Sequence, residues 1–363
     1  MKARKILSLV MAAALSLGAL AGCGSGDTGT SPEGGGSSAA QTGDGAKSDA
    51  KLEIWVYGWE KASADKIQED TAAYKEATGV EVTVVPIASD SYSTKIQATL
   101  AGGNNPDLAF VDAGVQSTQL AAKGKLLGLN DYGVGEYEDK FYESVWDTMV
   151  YKDEVYGLRI TSNNLALFYN KELFEKAGLE EPNGDWTWDD LRSAAKALTD
   201  ADNNIYGLDL PVYDKNGGYT WNWLPFLWQN GGEFLNEERT EAVFNSPEGL
   251  EALEFWKAMV QEDKSVPLQA APTGVNRFTS GITAMTIDGP WNLSTFLSDP
   301  NFKDKFGVAP LPQKEQQATV VGGEGVVVFS NTKYPQEAYD YLVHLTCSEF
   351  VQTFWENWIT IPP

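Results

Sequence analysis

Carboxylates and tryptophans occur together where predicted strands end. The stretch AMTIDGPW, residues 284–291, has the pattern of a buried strand up to Asp288, and Gly289-Pro290 ends that strand before Trp291. An indole offers an apolar face, and a carboxylate accepts hydrogen bonds. Sugars present apolar C–H faces ringed by hydroxyls. Such a pairing is therefore typical of a carbohydrate-binding cleft.

Tryptophan is abundant, with 12 among 363 residues, and its positions fall into two groups. We expect core positions for Trp55, Trp146, Trp228 and Trp256. We expect cleft positions for Trp221, Trp223 and Trp291.

Signatures of catalysis are mostly missing from the sequence. The one histidine, His344, lies within an apolar helical pattern and is predicted to be structural. There is no G-x-S-x-G, no Walker A motif and no paired-cysteine metal spacing. Asp200–Asn204 is predicted to be an Asx-rich turn, because Ile205 and Pro211 occupy positions where a calcium loop needs Gly and Glu. We expect no metal and no cofactor, although an Asp/Glu pair for glycoside hydrolysis stays an open alternative.

Strand and helix patterns alternate along the chain, which predicts an α/β fold with a parallel sheet. Residues 52–57 and 80–85 have strand patterns, the second ended by Pro86, and PDLAFVDA is a third strand. Helical patterns cover residues 63–78 and 92–100.

A second block repeats this alternation. LALFYNKELF is a strand that runs into a helix. Thr187 is the predicted N-cap of another helix, with Asp190 completing a capping box. Ser246-Pro247 begins a helix that we expect to turn Leu250, Leu253 and Val260 inward.

The N-terminus has the features of a bacterial export signal. Lys2, Arg4 and Lys5 precede an apolar run over residues 6–20, too short for a membrane span. Leu20-Ala-Gly-Cys23 resembles the lipobox, which implies cleavage before Cys23 and its lipidation. The alternative is an ordinary secretory signal with a chance cysteine. Residues 24–50 are predicted to be a disordered tether, roughly 30 Å from end to end.

The remaining chain, from about residue 51, is long enough for two lobes. Only Cys347 follows Cys23, so this body has no intrachain disulfide. The net charge of −24 argues against a nucleic-acid partner and against an anionic membrane surface.

The order of segments resembles the bacterial extracellular solute-binding proteins of the sugar-binding class, the group of maltose-binding protein. The matching stretches are LEIWVYGWE, GGNNPDLAFVDA, VYGLRITSNNLALFYNKELFEKAGL, WTWDDLRSAAKALTD, WQNGGEF, FTSGITAMTIDGPW, FGVAPLP, VGGEGVVVFS and EAYDYLVHLTCSEFVQTFW. They run from about residue 51 to 358.

The resemblance implies a two-lobed periplasmic-binding-protein-like fold with a hinge and an interlobe cleft. A signal peptide of residues 1–22 and a lipidated tether of 23–50 precede the lobes. Lobe 1 takes residues 51–161 and 303–347, and lobe 2 takes 162–302 and 348–363. The chain should cross near Thr161-Ser162, return near Lys303 and leave again near Cys347. The family normally continues beyond a motif like WITIPP at residues 358–363, so the second lobe is expected to lack its last part here.

The resemblance also assigns ligand-binding residues by position, on loops from both lobes and from the hinge. They are Tyr57, Trp59, Glu60, Asp112, Gln116, Asn163, Tyr219, Trp221, Trp223, Asp288, Trp291, Gly323 and Glu324. We expect Trp291 to stack on a sugar, and Asp288 to accept a hydroxyl or hold its own loop.

The predicted function is a non-catalytic carbohydrate receptor. It would be a monomer, lipid-anchored at the extracellular face of the cell membrane, delivering mono- or oligosaccharide to the permease subunits of an ABC importer. A secreted glycoside-active enzyme and a sugar-sensing surface module are the alternatives. The sequence does not name the sugar.

Overall fold

The computed structural model describes residues 47–57, 61–102, 104–212, 218–237 and 240–352, without the side chains of residues 61–63, 89, 90, 100, 218 and 219. Across these residues no helix is both long and apolar enough to cross a membrane.

The first sheet has five strands in the order β2-β1-β3-β13-β6. β1 pairs in parallel with β2 and β3, whereas β13 runs antiparallel to both β3 and β6. The strands are β1 (Lys51–Tyr57), β2 (Glu81–Ile87), β3 (Leu108–Asp112), β6 (Gly157–Arg159) and β13 (Glu324–Val328). β2 continues through Pro86, where we predicted its end; as an edge strand it tolerates a residue without a backbone N–H.

Helices cover this sheet and close its core. α1 (Lys61–Thr78) and α2 (Ser89–Leu100) form the connections of the parallel strands, and α10 (Pro335–Cys347) packs on β13 and β6. Their apolar faces meet the sheet through residues that include Ile67, Ile96 and Leu342, all fully buried. The predicted strand–helix alternation of the first block is confirmed.

The second sheet has four strands in the order β11-β8-β10-β9. β10 runs parallel to β9 and antiparallel to β8. The strands are β8 (Ala166–Asn170), β9 (Tyr206–Asp209), β10 (Thr283–Asp288) and β11 (Phe306–Ala309). A second core lies against it, built largely by α6 (Trp188–Ala197), α7 (Gly218–Gln229) and α8 (Pro247–Lys257).

Two chain segments connect the sheets, and we call them the crossing segments: residues 160–165 and 320–323. Within them β7 (Asn163–Asn164) and β12 (Val321–Gly322) pair as a short antiparallel ladder. The remaining elements are α3 (Gln116–Ala122), α4 (Glu143–Trp146), β4 (Val150–Tyr151), β5 (Glu154–Val155), α5 (Lys171–Ala177) and α9 (Leu293–Ser298).

Three predicted boundaries need correction. The return near Lys303 is placed too early, because β11 pairs with β8 in the second sheet and the chain crosses back only at residues 320–323. The body begins before residue 51, since Ala50 is buried in the first core. Val351 packs on that same core, so the chain does not leave it at Cys347.

Side-chain predictions for the helices had mixed outcomes. Thr187 caps α6 in a capping box with Asp190, as predicted. Leu250 and Leu253 are 58% and 53% exposed, so their predicted inward orientation was wrong, whereas Val260 is half-buried against the second core. α8 instead buries the face that carries Ala252 and Trp256.

Candidate functional site

Acidic side chains from two strands meet at one edge of the first sheet. Asp112, the last residue of β3, lies directly opposite Glu324, the first residue of the antiparallel strand β13. Tyr57 ends the neighbouring strand β1, and its hydroxyl donates to Asp112 Oδ1 at 3.3 Å. The fold therefore brings three of the predicted site residues together.

Aromatic packing and a buried amide hold this edge in place. The Tyr57 ring stacks on Tyr92 with centroids 3.9 Å apart. Tyr92 is fully buried, and its hydroxyl lies 2.8 Å from the carbonyl oxygen of Phe110. The backbone N–H of Asp112 donates to Gln116 Oε1 at 3.1 Å. Gln116, itself buried, thus shapes the end of β3.

Desolvation controls the charge at this edge. Burial raises the pKa of Glu324, against the hydrogen bond from the Thr161 hydroxyl and the positive charge of Arg159. Asp112 is exposed at the end of β3, and partial desolvation by the surrounding protein raises its pKa, against the Tyr57 hydrogen bond and Arg159. The pKa of Tyr57 is raised far above its usual range, mainly by burial, so its hydroxyl remains a hydrogen-bond donor.

The edge of the second sheet carries another carboxylate, Asp288, at the end of β10. It accepts hydrogen bonds from the backbone N–H of Gly289 at 2.8 Å and from Asn292 Nδ2 at 2.6 Å. Burial raises its pKa to about 6, against these bonds and one from Trp291. Two roles were predicted for Asp288, accepting a sugar hydroxyl or holding its own loop. These contacts show that it holds the loop.

Trp291 lies in the turn that Asp288 fixes and is 39% exposed. Its ring covers Gly289 so closely that a Cβ atom there would lie 2.1 Å from ring atom Cζ3. The backbone of this turn lies close to β7, so Trp291 belongs to a turn beside the first crossing segment.

A cavity of about 260 Å³ adjoins Asp288 at the carboxyl ends of β9 and β10. Its polar lining includes Asp209, Asn222 and Arg277, which the sequence analysis did not single out. Arg277 Nη1 lies 3.3 Å from Asp209 Oδ1, and Asn222 Nδ2 donates to the Ile287 carbonyl oxygen at 2.9 Å. One available signal was that Asp209, like Asp288, ends a strand just before a proline-containing turn.

The other predicted site residues are distributed unevenly. Trp221 rests on Gly322 of β12, and Asn163 pairs with Gly322 in the crossing ladder. Gly323 has φ +115°, a backbone conformation that favours glycine. Trp223 is only 7% exposed and packs in the second core, which contradicts its predicted cleft position. Trp59, Glu60, Cys23 and the Tyr219 side chain lie outside the described part of the chain.

Polar groups at the ends of strands in both sheets, and two tryptophans near the crossing segments, match the layout expected of a two-lobed binding protein. In sequence, residues 58–349 match the family of bacterial extracellular solute-binding proteins. The chain belongs to this family. The predicted membership is thereby confirmed.

Relatives of this solute-binding protein have low sequence identity to it, but the similarity extends over most of both chains. A putative binding protein of Brucella abortus is 26% identical over 78% of this chain and 68% of its own length. The lactose-binding protein of Rhizobium radiobacter is 25% identical over 80% of this chain and 69% of its own.

Solved structures of solute-binding proteins share the fold. An ABC substrate-binding protein from Listeria monocytogenes, in complex with cycloalternan, has a TM-score of 0.75 and 28% identity, covering 86% of this chain and 79% of that one. An ABC transporter solute-binding protein from Thermotoga lettingae, bound with α-D-tagatose, has a TM-score of 0.74 and 30% identity, covering 86% and 81%. The predicted α/β, two-lobed periplasmic-binding-protein-like fold is confirmed.

Proposed function

We propose that this protein is a carbohydrate receptor that binds a mono- or oligosaccharide and delivers it to the permease subunits of an ABC importer. The observation that carries the proposal is that Trp221 lies on the second crossing segment and that the turn of Trp291 lies beside the first, while carboxylates end strands of both sheets. Indoles there can stack on sugar faces while the edges hydrogen-bond hydroxyls.

The charges of the site suit a neutral, polyhydroxylated ligand. Asp112 and Glu324 supply hydrogen-bond acceptors on the first sheet, and Tyr57 supplies a hydroxyl. On the second sheet, Asp209 and Arg277 already neutralise one another across 3.3 Å. The two sheets thus offer both acceptors and donors, as sugar hydroxyls require.

Relatives support this ligand class. The similar proteins bind lactose, cycloalternan and α-D-tagatose, which are a disaccharide, a cyclic oligosaccharide and a monosaccharide. The length of the sugar therefore differs within the family. In this proposal the protein binds its sugar without chemical change, since proteins of this family are binding proteins.

Transport by this receptor would depend on a change between open and closed forms. A sugar that contacts both sheet edges binds the closed form better and shifts the population toward it by that difference in affinity. We further propose that lipidated Cys23 holds the protein, as a monomer, at the extracellular face of the cell membrane.

The proposal is tested by calorimetry of the purified protein with lactose, cycloalternan, α-D-tagatose, maltose and their component sugars. We expect saturable binding of at least one, with the sugar recovered unchanged after prolonged incubation. Small-angle scattering at saturation should then give a smaller radius of gyration. Absence of binding across the panel would contradict the receptor, and hydrolysis of the bound sugar would favour a glycoside-active enzyme instead.

A further inference from the structure

A buried arginine joins the two crossing segments. Arg159 ends β6 and is 1% exposed. Its Nε donates to the carbonyl oxygen of Thr161 at 3.1 Å on the first segment, and its Nη2 donates to the carbonyl oxygen of Gly322 on the second. Nη1 donates to the Thr148 hydroxyl at 3.2 Å. The planar guanidinium therefore fixes two segments of distant sequence relative to one another.

These three bonds go to neutral oxygens, so the compensation of the buried charge must come from further away. The nearby carboxylates are Glu324 and Asp112, which interact electrostatically with Arg159. Burial lowers the pKa of Arg159 to about 10, which leaves it charged at neutral pH. The other titratable groups at this edge, Tyr57 and Tyr92, have raised pKa values and stay neutral.

The carboxylates need such a charge because of their register. Asp112 and Glu324 are cross-strand partners, and like charges directly opposite one another destabilise a sheet. Thr161 also connects the two features: its carbonyl oxygen accepts from Arg159, and its hydroxyl donates to the Glu324 carboxylate. The arginine and the acidic edge thus form one connected unit at the crossing.

We propose that Arg159 is a positioning residue of the ligand site, which ties the crossing segments together and supplies the positive charge that the Asp112–Glu324 pair faces. Its side chain is buried and acts on a bound sugar only through these two carboxylates and the crossing backbone. The relevance of Arg159 to sugar binding rests on the proposed function. Its contacts with the crossing segments and its effect on the two carboxylates are properties of the protein without ligand.

The proposed charge role of Arg159 is tested with two variants. Arg159→Met removes the positive charge, and Arg159→Lys keeps the charge but loses the planar guanidinium group. Carboxyl ¹³C titrations by NMR, assigned through Asp112→Asn and Glu324→Gln, report the two acids directly. Arg159→Met should raise at least one of these pKa values by about one unit, a tenfold change in proton affinity, and Arg159→Lys should restore most of it. Arg192→Met removes an arginine of the second sheet's helices and should leave both titrations unchanged.

Unchanged carboxyl titrations in Arg159→Met would overturn the charge role. If that variant does not fold, Arg159→Lys still decides the tie, because a single ammonium cannot bridge the carbonyl oxygens of Thr161 and Gly322 in the same way. Amide hydrogen exchange at residues 322–324 should then rise at least tenfold. Exchange equal to that of the unmodified protein would refute the tie.

Binding of α-D-tagatose and of cycloalternan, below and above the carboxyl pKa values measured for Arg159→Met, connects the residue to function. In this variant the affinity should fall more below those pKa values than above them, because protonated carboxyls lose acceptor capacity. An equal fall on both sides would count against the charge role. If the unmodified protein binds neither of these sugars nor any other in the panel, the proposed function fails. The carboxyl titrations without ligand still test the charge role of Arg159.

Discussion

The indole of Trp221 lies directly on Gly322: a Cβ atom built on that glycine would lie 2.5 Å from ring atom Cη2 and 2.7 Å from Cζ2. Gly322 belongs to the β7–β12 ladder and accepts a hydrogen bond from Arg159. A side chain carried by α7 thus touches the backbone of a crossing segment, where a methyl group has no room.

Gly322→Ala should displace the Trp221 ring, because contacts under 3 Å cannot persist and the neighbouring backbone is held in a ladder. We expect sugar affinity to fall by about tenfold or more, as for the loss of an aromatic anchor. Calorimetry measures it. Gly135→Ala is the matched control, since nothing lies within 4 Å of a Cβ there. Equal affinities in both variants would show that Trp221 does not contribute to binding.

Trp291 and Trp223 offer a paired test of surface and core tryptophans. Trp291 is 39% exposed, so Trp291→Ala should change the apo melting temperature little and weaken sugar binding by about 2 kcal/mol, roughly thirtyfold. Trp223 is 7% exposed, so Trp223→Ala should cost about 3–5 kcal/mol of stability. Thermal melts without sugar and titrations of the folded protein separate the effects. A reversed pattern would place the stacking platform at Trp223.

Local patterns predicted the elements well where short-range physics decides them. Thr187 and Asp190 form their capping box from neighbouring residues alone, and the helix duly begins there. The return near Lys303, which the resemblance implied, was wrong. Strand pairing is long-range, so Phe306–Ala309 has the same local pattern whichever sheet it joins, and only its register with β8 assigns it.

The sequence indicated which residue types form the site better than it indicated how deeply each one is buried. Asp112 and Glu324 were named from the sequence, but their opposition across β3 and β13 depends on the topology. Trp221 and Trp223 lie two apart on α7 and therefore point in different directions, one onto Gly322 and one into the core. Arg159 was missed because a single arginine at the end of a short strand carries no local sign of burial.

Anchoring is tested at Cys23. If this residue carries the lipid, Cys23→Ser should move the protein from the membrane fraction to the medium or periplasm, because a short apolar segment alone does not retain it. Fractionation and intact-mass measurement check both location and lipid. Cys347→Ser, which changes the other cysteine, should leave the distribution unchanged. Membrane retention of Cys23→Ser, together with an unlipidated unmodified protein, would refute the anchor.

His344 joins α10 to α1 and is expected to act on stability alone. Its Nε2 lies 2.7 Å from Asp70 Oδ2, and its ring packs against Tyr74 and Phe350. His344→Ala should cost about 1–3 kcal/mol in chemical denaturation, with sugar affinity unchanged. The double variant with Asp70→Ala should cost less than the sum of the two single variants, because the pair is lost only once. Strict additivity would mean that this contact contributes nothing.

Asp288 should make stability depend on pH. Its pKa in the folded protein is about 6, above the value of roughly 3.9 expected when unfolded, so the folded state binds more protons between these values. Stability from this group is therefore fully present below about pH 4 and is lost as pH rises through 6. Asp288→Asn removes the titration and can keep one acceptor for the N–H of Gly289.

The measurement is denaturant unfolding of both proteins at pH 5, 6 and 7. Relative to Asp288→Asn, the unmodified protein should gain stability as the pH falls across this range, with most of the gain between pH 6 and pH 5. Asp131→Asn, at an exposed aspartate of the first lobe, corrects for general effects of losing a carboxylate. A constant difference between unmodified protein and Asp288→Asn from pH 5 to 7 would mean that Asp288 is ionised throughout. Its bonds to Gly289 and Asn292 would then outweigh the cost of burying its charge.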